Sequence, residues 1–223
     1  MKPVAVVFDL FGTLLEIASL RDAAAAVTTQ PDAFVATWRE KQLGYAFAST
    51  IMGTHEDFDA MTDHALVYAA AKHRVSLDDA ARQRLVDAWQ HVRAYDDVGP
   101  VLVNLQARGV RCAVLTNGTP ATSAAALASA GIAQHIDVTL SVESAGVFKP
   151  DRRVYELVTK HYGAPAERFI FATSNGWDAT GAAAFGMRVA WCNRSGMPAE
   201  TFGPSPAWTL RDLSELKAVV DAS

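Results

Sequence analysis

The chain predicts an α/β protein, with a mostly parallel sheet covered by helices on both faces and an all-helical insertion after the first strand. Three observations carry this. Val4–Phe8 is a short, continuous apolar run that ends in Asp9, as suits a strand buried on both faces. Residues 15–96 show Ala-rich helical periodicity without a strand pattern. From Asp97 onward, apolar runs and helical patterns alternate, which is the signature of parallel β–α units.

Within the insertion, Pro31 suits a first helical position and opens a helix through Phe34, Trp38 and Tyr45. Thr54 with Asp57, and Ser76 with Asp79, resemble capping boxes. The first would start a helix carrying Phe58, Met61, Ala65 and Tyr68, and the second a helix over Ala80–Val92. Beyond Asp97 the pattern predicts a helix from Gly99-Pro100 to Ala107 and a strand over Val110–Leu115. A helix from Thr119-Pro120 to Gly131, a strand over Val138–Leu140 and a helix over Asp151–His161 follow. The last predicted elements are a strand over Phe169–Ala172, a helix over Ala179–Phe185 and a strand over Arg188–Cys192. An irregular tail with Gly203-Pro204 and Pro206 then leads to a short helix, Leu213–Val220.

The 223 residues are half hydrophobic and carry a net charge of −4, as expected of a globular protein with a sizeable core. Basic residues are scattered, which argues against nucleic acid or an anionic membrane as a partner. No apolar run has the length of a membrane span or a signal-peptide core, so a cytoplasmic location is expected. Cys112 and Cys192 sit in or just after apolar runs and read as buried, reduced thiols. No G-x-S-x-G elbow is present, and GTPATSAAALASAG lacks the lysine of a phosphate loop. The six histidines fall in the insertion or near helix ends, where structural or solvated roles are expected.

Chemistry gathers at the strand ends. The first strand delivers Asp9, Leu10, Phe11 and Thr13, the second Thr116 and Asn117, the loop after the third Lys149, and the fourth Thr173, Asn175 and Asp178. A parallel sheet puts these ends on one edge, where open α/β sheets bind their ligands.

These four blocks, in this order and around a helical insertion, resemble the haloacid dehalogenase superfamily over nearly the whole chain. The resemblance implies a Rossmann-like core domain of residues 1–14 and 97–223, with residues 15–96 as a helical cap over the site. The superfamily is mostly phosphatases, whose second acid two positions after the nucleophile protonates the departing alkoxide. Here that position is Phe11. A departing halide needs no proton, so losing the acid removes phosphatase chemistry and leaves halide displacement feasible. The run TSNGWDATGA, and WREKQLGY in the insertion, resemble the L-2-haloacid dehalogenases in particular.

That likeness implies hydrolysis of short (S)-2-haloalkanoic acids to (R)-2-hydroxyalkanoic acids through an ester of Asp9, with no metal or other cofactor. It assigns Lys149 to keeping Asp9 ionised and Thr13 and Thr173 to orienting Asp9 or Lys149. Asn175 and Asp178 would handle the hydrolytic water, with Tyr155 in support. Arg39 and Asn117 would bind the halide, and Thr116 and main-chain amides after Asp9 the substrate carboxylate. Leu10, Phe11, Leu43, Phe58 and Trp177 would contact or wall the substrate, although for Phe58 plain packing between helices is an equal expectation. Thr116 and Thr173 replace the serines common in the family, which keeps the hydroxyl and adds a methyl. A homodimer is the expectation for assembly. The alternatives are a phosphatase of the same superfamily and a non-catalytic member that binds a small acid.

Overall fold

The computed structural model describes residues 2–222. At its centre lies β1 (Ala5–Phe8), every residue of which is buried. It pairs in parallel with β2 (Arg111–Thr116) on one side and β4 (Phe169–Thr173) on the other. Beyond them lie β3 (Val138–Ser141), β5 (Arg188–Cys192) and β6 (Trp208–Leu210), all parallel. The strand order 3-2-1-4-5-6 is that of doubly wound nucleotide-binding sheets, and it confirms the predicted α/β class. Because β1 is central, its carboxyl end opens into the crevice between its two neighbours. Asp9 stands there.

Strand alternation divides the core in two. Val6 and Phe8, with Cys112 and Val114, face one side under α5 (Val98–Ala107) and α6 (Pro120–Ser129). Ala5 and Val7, with Leu115, Phe169 and Phe171, face the other under α7 (Arg152–Tyr162) and α8 (Gly176–Phe185). The last helix, α9 (Leu216–Asp221), packs against α5.

Between β1 and β2 the chain is helical, through α1 (Arg21–Ala24), α2 (Pro31–Met52), α3 (Phe58–His73) and α4 (Asp79–Asp87). α2 and α3 pack face to face, and Trp38, fully buried, donates its indole N–H to the Thr62 carbonyl at 2.7 Å. The chain leaves and re-enters the core through two paired segments. Leu15 bridges Ala94 in antiparallel fashion, the Glu16 amide donates to the Arg93 carbonyl at 2.7 Å, and the Tyr95 amide donates to the Leu14 carbonyl at 3.1 Å.

Four local features differ from those the sequence predicts. α3 and α4 are capped by Asp57 and Asp78, whose carboxylates accept from the Ala60 and Ala81 amides, and not by Thr54 and Ser76. The Thr54 amide is already spent on the Ser49 carbonyl at the end of α2, so the next helix starts later. The predicted helix over Ala80–Val92 is α4 followed by a 3₁₀ turn over Ala88–His91. α8 begins at Gly176, three residues ahead of the predicted start, which puts Asp178 in its first turn. The tail contributes β6, which the sequence reading left irregular; three residues behind Pro204 and Pro206 gain strand geometry only by pairing with β5.

One glycine in this frame is set by a close approach. A Cβ at Gly181 on α8 would lie 2.6 Å from Pro150 Cβ and 2.6 Å from the Tyr155 hydroxyl oxygen. Gly181→Ala should therefore cost about 1–3 kcal/mol in urea unfolding, because packing of this density does not absorb a methyl without displacement.

Both cysteines are buried and free, on β2 and β5. Burial pushes the Cys112 thiol up to about 12 and also raises Cys192. Among the described residues no helix is long and apolar enough to cross a membrane.

Candidate active site

Asp9, only 6% exposed, is the hub of a hydrogen-bonded cluster at the carboxyl edge of the sheet. Its Oδ1 accepts from Lys149 Nζ at 3.0 Å. Its Oδ2 accepts from Thr13 Oγ1 at 2.9 Å and from Asn175 Nδ2 at 2.8 Å. Lys149 also donates to Asp178 Oδ2 at 2.9 Å, and the Tyr155 hydroxyl donates to Asp178 Oδ1 at 2.7 Å. One ammonium thus bridges two carboxylates, with Lys149 and Asp178 at 1% and 0% exposure.

Local chain geometry explains why these groups converge. Gly12, at φ +92°, turns the backbone sharply after β1 and brings Thr13 back over Asp9. The Thr13 hydroxyl then accepts from the Ser174 amide at 2.9 Å, tying the loops after β1 and β4 together. Thr173 Oγ1 accepts from the Asn175 amide at 3.1 Å, so this hydroxyl shapes the loop that aims Asn175. Asn117 Oδ1 accepts from the Lys149 amide at 3.0 Å, which seats the lysine loop and leaves the Asn117 NH₂ as the donor end of that side chain. Thr116 Oγ1, nearly inaccessible, accepts from the Gly118 amide at 3.0 Å.

The titration behaviour follows from burial and charge. Burial works to discharge Lys149, but Asp178 and Asp9 outweigh it and raise its pKa. Asp178 is raised, first by burial and then by the charge on Asp9, while Lys149 and the Tyr155 hydroxyl act to lower it. Tyr155 is pushed well above its usual range, by burial and by Asp178, so it remains a neutral donor.

α2 brings Arg39 to the mouth of this cluster. Its Nη2 reaches toward the Phe11 carbonyl at 3.5 Å, and its guanidinium lies 5.9 Å from the centre of the Trp89 ring. Burial lowers Arg39 to about 10, against the pull of Asp9 and Asp178, so it stays charged at neutral pH. Phe11 meets Trp89 edge-on with ring centroids 5.5 Å apart. Phe11 and Phe58 line a cavity of about 200 Å³, whereas Trp177, edge-on to Phe47, lines a separate apolar cavity of about 720 Å³ bounded by Lys149 and Phe148. Leu43 is half-buried and packs with the cluster that contains Phe58 and Phe148.

Of the residues singled out from sequence, Asp9, Thr13, Lys149, Tyr155, Asn175 and Asp178 form one connected network. Arg39, Thr116, Asn117 and Thr173 sit around it. Leu10 is fully buried in the core with Phe8 and Leu14 and lines neither of the cavities described above. Thr173 bonds the Asn175 amide rather than Asp9 or Lys149. Sequence reasoning missed Gln42, which accepts from Arg39 Nη1 at 2.6 Å, and Asp59, which accepts from the Thr119 and Thr122 hydroxyls at 2.9 Å each. A polar side chain one turn beyond Arg39, on the same helix face, was the available signal for Gln42. Among the described residues no group of three or more His, Cys, Asp or Glu side chains is placed to hold a metal ion.

A doubly wound sheet with an acid at the end of its first strand, a lysine bridging it to a second acid and a helical segment between β1 and β2 defines a class of hydrolase. Residues 4–186 match the model of the haloacid dehalogenase-like hydrolases, and the chain belongs to that family. It is 36% identical over 212 residues to an (S)-2-haloacid dehalogenase of Pseudomonas putida, covering 95% of this chain and 93% of that protein. It is similar in structure to the L-2-haloacid dehalogenase RSc1362, with a TM-score of 0.96 at 31% identity over 99% of this chain and 100% of the other. The L-2-haloacid dehalogenase of Xanthobacter autotrophicus, solved with chloropropionic acid covalently bound, gives a TM-score of 0.92 at 30% identity, covering 98% of each chain.

Proposed function

We propose that the protein hydrolyses short (S)-2-haloalkanoic acids to (R)-2-hydroxyalkanoic acids and halide, without a metal, through an ester of Asp9. The observation that carries this reading is the uneven hydrogen bonding of the Asp9 carboxylate. Oδ2 holds two donors, whereas Oδ1 holds only Lys149 and retains a lone pair. Oδ1 attacks C2 of the substrate from the side opposite the halide. The carbon–halogen bond breaks, the halide leaves with the electron pair toward Arg39 and the Asn117 NH₂, and the carbon inverts.

The ester carbonyl oxygen is then Oδ2, and it already lies in the grip of Thr13 and Asn175. When water adds to the ester carbon, negative charge develops on this atom, and fixed donors at 2.8–2.9 Å are what stabilise it. Asp178 takes the proton from water. Collapse expels the product alkoxide, which takes the proton back from Asp178, and leaves Asp9 as its acid, whose proton passes to solvent; the net products are hydroxy acid, halide and one proton. Lys149 keeps a positive charge between the two acids throughout. Thr116 and nearby amides hold the substrate carboxylate, Phe11, Leu43, Phe58 and Trp177 supply apolar wall, and residues 15–96 act as the cap that closes over the substrate.

Two further supports are chemical. The relatives named above act on 2-haloacids. Phe11, in edge contact with Trp89, carries no proton for an alkoxide leaving group, which weighs against a phosphatase. The test is halide release from (S)-2-chloropropionate in excess EDTA. Release that persists in EDTA supports the reading; no halide, with Mg²⁺-dependent phosphate release from a generic ester, defeats it.

Tyr155→Phe probes the second step. It removes a donor that holds Asp178 down, so the acid limb of the pH–rate profile should move to higher pH, and stability should fall by about 1–2 kcal/mol. The raised value of Asp178 also sets the sign for stability. The folded state holds its proton more tightly than the unfolded chain, so this group's contribution declines as pH rises from the ordinary Asp value through the folded one.

A further inference from the structure

We infer that Gln42 is a positioning residue that aims Arg39 at the departing halide, and through it sets how the enzyme discriminates chloride from bromide. The inference deepens the reaction proposed above and rests on it. Gln42 is fully buried on α2, one turn beyond Arg39. Its carbonyl oxygen accepts from Arg39 Nη1 at 2.6 Å, and its NH₂ donates to Thr62 Oγ1 on α3 at 2.5 Å. The Thr62 hydroxyl in turn donates to the Phe58 carbonyl at 2.8 Å.

The direction of this relay is fixed by donor count. An arginine only donates, so it must meet the oxygen of the Gln42 amide. The Thr62 proton is committed to Phe58, so its oxygen must accept from the Gln42 nitrogen. The amide therefore has one orientation consistent with both ends, and α3 anchors it. The other contacts of Arg39 are weaker, a long one to the Phe11 carbonyl at 3.5 Å and the Trp89 ring centred 5.9 Å away. A half-buried guanidinium held by one short, oriented bond points where that bond directs it. In this fold it points over Phe11, where its charge is felt by Asp9 and Asp178.

The consequence is specific to the halide. Chloride leaves less readily than bromide and relies more on charge stabilisation in the transition state. Loosening Arg39 should hurt the chloro substrate more, while capture of the substrate carboxylate near Thr116 is spared. Gln42→Met keeps volume and deletes both bonds. It should raise the bromide product-inhibition constant about tenfold and lower the chloro-to-bromo ratio of kcat/KM by roughly fivefold, as expected for loss of one charge-assisted hydrogen bond. Gln42→Glu keeps the contact and neutralises the guanidinium, so bromide inhibition should weaken in it too.

Thr62→Val removes only the far anchor and should show the same two effects at smaller size, and Thr62→Ser should restore both. This second pair keeps the inference testable should Gln42→Met fold poorly. An active wild-type enzyme whose Gln42→Met or Thr62→Val variant keeps both the halide ratio and the bromide constant would overturn the inference alone. A wild-type protein that releases no halide from either substrate would overturn the proposed reaction, and this inference with it.

Discussion

Asp9→Asn is expected to abolish halide release from (S)-2-chloropropionate, by roughly 10⁴-fold or more, in a protein that still folds. The amide keeps the volume of the acid but loses its charge, and a neutral amide oxygen is a far weaker nucleophile than a carboxylate oxygen. Removing the charge does not strand Lys149, because Asp178 Oδ2 remains 2.9 Å from the ammonium. The far-UV circular dichroism and the urea midpoint should therefore stay near those of the wild type while ion chromatography detects no halide. Activity within tenfold of wild type would mean that another group attacks the carbon.

Lys149→Met is expected to have the opposite balance, a large loss of stability together with a large loss of rate. Two carboxylates, Asp9 and Asp178, share that one ammonium in a site closed to solvent. Breaking a buried ion pair by removing one partner costs about 3–5 kcal/mol, because the remaining charge has neither water nor a counter-ion. The variant relieves this by protonating an acid, so any remaining activity should emerge only at higher pH than in the wild type. The alkaline side carries a second signature. Lys149 is raised above its ordinary 10.5, so its stabilisation is complete below that value and is lost as pH climbs through the folded-state value. Urea unfolding as a function of pH should show this alkaline decline in the wild type and not in Lys149→Met.

The contrast between these variants mirrors what was legible in the chain. Asp9, Thr116 and Thr173 could be placed because short buried strands end abruptly in polar residues, and a parallel sheet gathers such ends; Lys149, eight residues beyond β3, was placed by the resemblance. Five of the six strands and the helical insertion followed from the same periodicity, whereas the order of the strands became visible only in the folded sheet. Which of two neighbours reaches a cavity was not legible: Leu10 and Phe11 are equally apolar and share one buried cluster, yet only Phe11 meets Trp89 and lines the smaller cavity. Caps misled because the preceding helices run on further than their patterns suggest. The Thr54 amide still closes α2 on the Ser49 carbonyl and the Val75 amide closes α3 on the Ala70 carbonyl, so the next helices start later, at Asp57 and Asp78. Trp208–Leu210 carries too few residues to show a period and becomes a strand only beside β5. Gln42 stayed hidden because a glutamine on a helix reads as surface until its partner on α3 is known.

The placement of the two thiols acquires a chemical meaning beside the proposed reaction. A 2-haloacid is an alkylating agent, and the carbon that accepts a carboxylate oxygen would accept a thiolate more readily. Reaction of this kind requires the ionised sulfur at an accessible surface. Cys112 and Cys192 offer neither, since both are enclosed by the sheet and held protonated at neutral pH by that enclosure. The fold thus keeps both thiols out of reach of the electrophile that the proposed reaction would bring to Asp9.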